Sequence, residues 1–117
     1  MAVEDSAALA EALHHARSAD DLPRVLGVFE DVRAKRSGQM QQASLINGKI
    51  WHFADGPEQE ARDLAMRPEV LGLPFEESPN QWSDPETQKW AYGYDAVEAI
   101  ALALISQNGV DAAPPRT

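Results

Sequence analysis

Cysteine is absent, which excludes a disulfide, a thiolate nucleophile and a thiolate metal site. Positive charge is scarce: 10 Lys and Arg stand against 19 Asp and Glu, for a net charge of −9. Nucleic acid needs a basic face for its phosphates, and anionic membranes attract the same, so both are excluded as partners. No apolar run approaches the roughly 20 residues that cross a bilayer. No basic segment followed by an apolar one marks an export signal, and a cytoplasmic location is the expectation. Bulky apolar residues are also few, because alanine supplies much of the 44% hydrophobic share. Burial stabilises by about 25 cal/mol per Å², and alanine has little area to bury. One domain is expected, but its core is thin. The seven glycines never form G-x-G-x-x-G, so no dinucleotide-binding loop is present. No serine lies in G-x-S-x-G, and no stretch alternates long enough for a strand.

What is present concentrates between Ser78 and Asp95, in the run SPNQWSDPETQKWAYGYD. Two of the three tryptophans and both tyrosines lie here, and a helix start is signalled in two ways. With Ser83 as N-cap, Glu86 completes a capping box. With Asp84 as N-cap, Pro85 takes the first helical position, where a missing N–H costs nothing. Trp90 and Tyr94 are one turn apart, and rings of this kind pin a segment against a larger body.

The remaining pattern is helical. A first helix spans Val3 to about Ala16, with Ala7, Ala8, Ala10, Ala12 and Ala16 as small apolar positions and Leu9 and Leu13 the bulky ones. Either high helix propensity or close approach to another backbone accounts for so much alanine. The helix starts almost at Met1, with no cap residue ahead of its first turn. Ser18-Ala19-Asp20-Asp21 forms a turn, and Leu22, Val25, Leu26, Phe29 and Val32 follow at amphipathic spacing. Arg33, Lys35 and Arg36 suit the dipole at that helix's end. Gly38 marks a kink or break before a third stretch from Ser37 to Ile50, which Asn47-Gly48 would end sooner. Pro57 starts a further helix that Pro68 stops. Residues 67–83 form an ordered but irregular connection in which Val70, Leu71, Leu73 and Phe75 need somewhere to bury. The aromatic helix ends near Gly93. A last helix carries Val97, Ile100, Ala101 and Leu104 inward, with Leu102 and Ile105 off that stripe, and Asn108-Gly109 closes it. The fold class is therefore all-α, with five to six helices over residues 1–109 and a disordered tail at 110–117.

No catalytic, cofactor-binding or metal-binding residue is assigned. His14 and His15 point about 100° apart on a helix and do not share a metal. His52, between two aromatic residues, reads as a packed or partly exposed ring. Glu58, Glu60 and Asp63 read as solvated charge more readily than as a metal site. Ser6, Ser37, Ser44 and Ser83 lack a nucleophile's context.

Several stretches, in order, resemble the FAD-dependent aromatic-ring hydroxylases, the salicylate-hydroxylase-like monooxygenases. Val3-Glu4-Asp5-Ser6-Ala7-Ala8-Leu9-Ala10 resembles that family's (I/M)-E-D-A-A-x-L helix, with Ser6 in place of alanine. Leu22-Pro23 through Phe29-Glu30-Asp31-Val32-Arg33 resembles the next helix, L-P-x-x-L-x-x-Y/F-E-x-x-R. Asn47-Gly48-Lys49-Ile50-Trp51-His52, Asp55 through Asp63, Trp82-Ser83-Asp84-Pro85 and Tyr92-Gly93-Tyr94-Asp95-Ala96 resemble the C-terminal tail of fungal-type members. The resemblance implies a segment equal to the last quarter or so of such an enzyme. Its full-length relatives use FAD and NAD(P)H to hydroxylate a substrate, often aromatic. Their cofactor-contacting residues would precede Met1, so no site residue is carried over and tight binding of either cofactor to this chain alone is not expected. The partner would be the missing FAD-binding body or another protein surface. A stand-alone helical interaction module and an unrelated helical enzyme with metal at Glu58, Glu60 and Asp63 are the competing readings. If the chain is such a segment, the alanine face around Ala8 and Ala12 should remain incompletely covered, and Trp51 and Trp82 should be half buried.

Overall fold

The computed structural model describes the backbone of residues 1–111 and the side chains of residues 1–108. Five α-helices account for most of it: α1 (Ala2–His14), α2 (Leu22–Trp51), α3 (Pro57–Val70), α4 (Pro85–Tyr92) and α5 (Ala96–Asp111), with single 3₁₀ turns at Ala19–Asp21 and Gln81–Ser83. No strand occurs among the described residues, and none of these helices is long and apolar enough to cross a membrane. The chain divides into two compact units, Met1–Gly38 with the residues from Asp95 onward, and Gln39–Tyr94.

In the first unit α1 lies directly against α5. Ala8 and Ala12, four residues apart and so on one helical face, are fully buried. The expected gap over the alanine face does not exist. Small side chains do signal a close backbone approach, and α5 of the same chain makes it. Val25 and Val28 of α2 and Ala96, Ile100 and Leu104 of α5 complete an apolar core of modest size. Asp95 caps α5 by accepting from the backbone N–H groups of Val97 at 2.9 Å and Glu98 at 3.0 Å. Leu102 and Ile105 are exposed. The helix continues past Asn108-Gly109 to Asp111, and the expected disordered tail lies outside the described residues from 112 on.

Two buried arginines bind α1 to α2. Arg33, 4% exposed, donates from Nε to Asp5 Oδ1 at 2.8 Å and from Nη2 to Glu4 Oε2 at 3.0 Å. Arg36, 3% exposed, reaches both Glu4 oxygens at 3.4 Å. These cations were expected to serve a helix C-terminus at this point. Instead the helix runs on, and the arginines neutralise the acidic first turn of α1, which no side chain caps. Burial opposes the Glu4 charge, but hydrogen bonds from Arg36 and Arg33 and their charges outweigh it and hold its pKa below the ordinary 4.5.

α2 is a single helix of 30 residues, not two. Glycine in a helix interior costs about 1 kcal/mol relative to alanine, and Gly38 is flanked by strong formers from Ala34 to Arg36 and from Gln39 to Ala43 that offset this. Ser37 donates its hydroxyl to the Arg33 carbonyl at 2.8 Å rather than competing for backbone N–H groups. Asn47-Gly48 does not end the helix either. Asn47 Oδ1 accepts from Trp51 Nε1 at 2.6 Å, and the Gly48 carbonyl accepts from His52 Nδ1 at 2.7 Å.

In the second unit Gly56, at φ 145°, supplies the backbone conformation from which Pro57 starts α3. Arg62 donates to the Ile50 carbonyl at 2.8 Å, satisfying one of the acceptors left open at the end of α2. Pro68 does not stop α3. A proline removes only its own N–H, and two further residues continue the helix before Gly72 turns the chain at φ 67°. The Leu73 N–H then bonds the Pro68 carbonyl at 2.8 Å and the Gly72 N–H the Glu69 carbonyl at 3.0 Å, a Schellman closure. Beyond it the chain is irregular, as expected, but Val70, Leu71, Leu73 and Phe75 find no interior. They remain 80%, 63%, 54% and 42% exposed. Only Ala43, Met66 and Ala91 are buried apolar residues in this unit. Trp51 is 46% exposed and Trp82 is half-buried.

Two stability changes follow. Arg33→Ala leaves Asp5 without its guanidinium and Glu4 with Arg36 alone, and should destabilise the chain by about 2 kcal/mol, the discounted figure for breaking a part-buried pair. Because the folded pKa of Glu4 is lowered, its contribution is complete above pH 4.5 and is lost as pH falls through the folded value. Thermal melts of wild type and R33A between pH 7 and pH 3 should therefore converge at the acid end. Gly72→Ala has room for its Cβ but not the φ, and should cost about 1 kcal/mol, measured by the same melts.

Candidate functional site

None of the residues weighed for chemistry converges on a reaction centre. Glu58 and Glu60 are exposed on the first turn of α3. Asp63 is held by its own neighbours, accepting from Arg62 Nη2 at 2.6 Å and from Gln59. The Arg62 hydrogen bond lowers its pKa, as expected of a neutralised surface carboxylate. Among the described residues no three His, Asp or Glu side chains are placed to hold a metal ion. His15 Nε2 lies 2.8 Å from Glu11 Oε1, and His14 meets His15 edge to face. Ser6 and Ser37 donate to helix carbonyls at 2.9 Å and 2.8 Å, Ser44 is exposed, and His52 is engaged with Gly48.

The polar centre that does form is one the sequence does not announce. Glu69, on the last turn of α3, gathers the connection around itself. Its carboxylate accepts from the Ser78 hydroxyl at 2.6 Å, from the Ser83 hydroxyl and from Asn80 Nδ2 at 3.4 Å. Asn80 also donates to Ser83 Oγ at 2.8 Å and accepts from the Trp82 N–H at 3.2 Å. The Ser78 bond first, then that of Ser83, lowers the Glu69 pKa, because each donor favours the charged form. Gln81 Nε2 donates to the Ala43 carbonyl at 2.8 Å and ties the same loop to α2. Ser83 thus serves Glu69, and Asp84 is the cap of α4, accepting from the Thr87 N–H at 2.7 Å with Pro85 at the first helical position. The choice between the two helix-start signals is settled by a residue 14 positions before Ser83, which is why local pattern left it open.

Beside this network lies a cleft of about 470 Å³ lined by Phe75, Glu76, Glu77, Gln81, Asp84 and Thr87, among others. A smaller polar hollow of about 330 Å³ in the first unit is lined by Arg17, Asp20, Asp21 and Arg24. There Arg24 is committed to Asp21 through hydrogen bonds at 2.8 Å and 2.9 Å. That pairing, with the Arg17 N–H, holds the Asp21 pKa down to about 2. The first cavity presents the carboxylates of Glu76, Glu77 and Asp84, and the second sets the Arg24–Asp21 pair beside Arg17. The Glu69 network is an organising centre for residues 78–84.

No family model matches the chain. Among curated proteins it is similar to the FAD-dependent monooxygenase OpS4 of Beauveria bassiana (strain ARSEF 2860), 38% identical over 103 residues that make up 88% of this chain. The chain spans only 24% of that relative's own length.

Glu69→Ala should release the connection without unfolding α3. Amide hydrogen exchange at residues 78–84 should speed up while that of residues 58–66 is unchanged. In wild type the protection of the same amides, taken relative to their intrinsic exchange at each pH, should fall on acidification, since a lowered folded pKa makes the Glu69 contribution complete above pH 4.5 and lost as pH falls through the folded value.

Proposed function

We propose that the chain is the C-terminal helical segment of an FAD-dependent monooxygenase of the salicylate-hydroxylase-like group. In that setting it helps complete an enzyme that uses FAD and NAD(P)H to hydroxylate an aromatic or related small substrate, and it holds neither cofactor alone. The observation that carries this reading is the 38% identity to a FAD-dependent monooxygenase across 88% of the chain. The elements agree with it: the E-D-S-A-A stretch lies on α1, the L-P…F-E-D-V-R stretch on α2, and the D-G-P-E stretch at the turn into α3. The proposed partner is the FAD-binding body, and the proposed setting is the cytoplasm.

A second reading, a stand-alone helical interaction module descended from such an enzyme, is favoured by one observation. Ala8 and Ala12 are fully enclosed by the chain's own helices, so α1 does not need an outside neighbour.

Grafting distinguishes the two. Replacing the matched region of the Beauveria relative with this chain should give a protein that retains FAD and oxidises NAD(P)H. The isolated chain should leave flavin fluorescence unquenched at micromolar concentration. A folded graft without flavin, beside an isolated chain that melts sharply as a monomer above the ordinary mesophile range of about 45–65 °C, would favour the module.

A further inference from the structure

Two features of the second unit adjoin along one stretch of chain. The Schellman turn at Gly72 directs Val70, Leu71, Leu73 and Phe75 into solvent as an apolar ribbon, with Val70 80% exposed. Phe75 ends the ribbon and also lines the 470 Å³ cleft, whose other lining residues include the carboxylates of Glu76, Glu77 and Asp84. Four bulky apolar side chains exposed within six consecutive positions are the composition of a contact region rather than of scattered surface residues. The loop that follows it, residues 78–84, is held in place by Glu69 and Gln81.

We infer that ribbon and cleft form one docking surface for the flavin-binding body of a monooxygenase, the ribbon covering an apolar patch and the cleft receiving a basic side chain from its rim. This rests on the function proposed above. The occupant follows from length and charge. The matched region covers 24% of its relative's length, so a body about three times the size of that region remains to be contacted in an enzyme of that kind. A second copy is a poor occupant, because each copy carries a net charge of −9 and the ribbon is flanked by Glu69, Glu76 and Glu77. Juxtaposed like charges suppress such pairing. Residues 112–117, Ala-Ala-Pro-Pro-Arg-Thr, include no bulky apolar side chain that could fill the ribbon.

The graft described above provides the test, with FAD affinity and the temperature of flavin release as readouts. Leu73→Asp with Phe75→Asp should weaken FAD retention by on the order of tenfold, the scale of losing buried apolar anchors from a contact. The same pair should leave the melt of the isolated chain unchanged, since both residues are exposed there. Glu76→Lys with Glu77→Lys should act in the same direction through charge. Leu102→Asp with Ile105→Asp, exposed on α5, should leave flavin retention as it was. If the unsubstituted graft binds no flavin, the proposed function fails and the docking surface falls with it. If the graft binds flavin and the ribbon variants match it, or only the α5 variants lose flavin, the function stands and the docking surface is overturned. Concentration-dependent dimerisation of the isolated chain that L73D abolishes would overturn it in favour of a second copy.

Discussion

The first unit depends on the placement of two guanidinium groups beside an apolar core made of small and medium side chains. Arg33 and Arg36 are almost wholly buried, and a buried cation is tolerated only when paired and hydrogen-bonded. Glu4 and Asp5 meet that requirement from the first turn of α1. The requirement runs both ways. The carboxylates sit at the positive end of a helix that has no side-chain cap, and the arginines hold that end against α2. Once α1 is fixed there, the alanine face of Ala8 and Ala12 can close against α5, where larger side chains would hold the backbones apart. Because the apolar core is small, the positions of the helices are set as much by these ion pairs as by packing.

The second unit solves a different problem with similar economy. Its irregular connection has almost no apolar interior, so its order comes from polar bonds to Glu69 and from the bond of Gln81 to Ala43 on α2. The bulky side chains that would ordinarily anchor such a loop point outward. In the monooxygenase setting proposed above, these side chains would meet the rest of the enzyme. Much of the chemistry is thus structural: serines, carboxylates and histidines are occupied with helix ends and loop contacts.

The helical class was legible because periodicity, proline at helix starts and the absence of alternation all agree, and each is a local property. Pro57 and Pro85 open helices as their position implies, and Asp95 restarts the chain into α5. Punctuation inside helices was less legible. Gly38, Asn47-Gly48 and Pro68 are breakers by local rule, yet strong helix formers around Gly38, side-chain bonds around Gly48 and the intact N–H groups after Pro68 carry the helices through. The Glu69 centre was not legible at all, because its members, Glu69, Ser78, Asn80 and Ser83, share no periodicity and are ordinary loop residues one by one.

The sequence by itself determined the all-α class, most helix starts, the lack of a dinucleotide loop and the likeness to flavin monooxygenases, since these rest on residue type and short-range spacing. Only the tertiary structure decided which charges are buried, which alanines are covered and which apolar residues stay exposed. Those outcomes depend on partners far apart in the chain: Arg33 lies 28 residues from Asp5 and Gln81 lies 38 from Ala43. No local pattern encodes whether a side chain meets its partner, because that is settled only when the helices have packed.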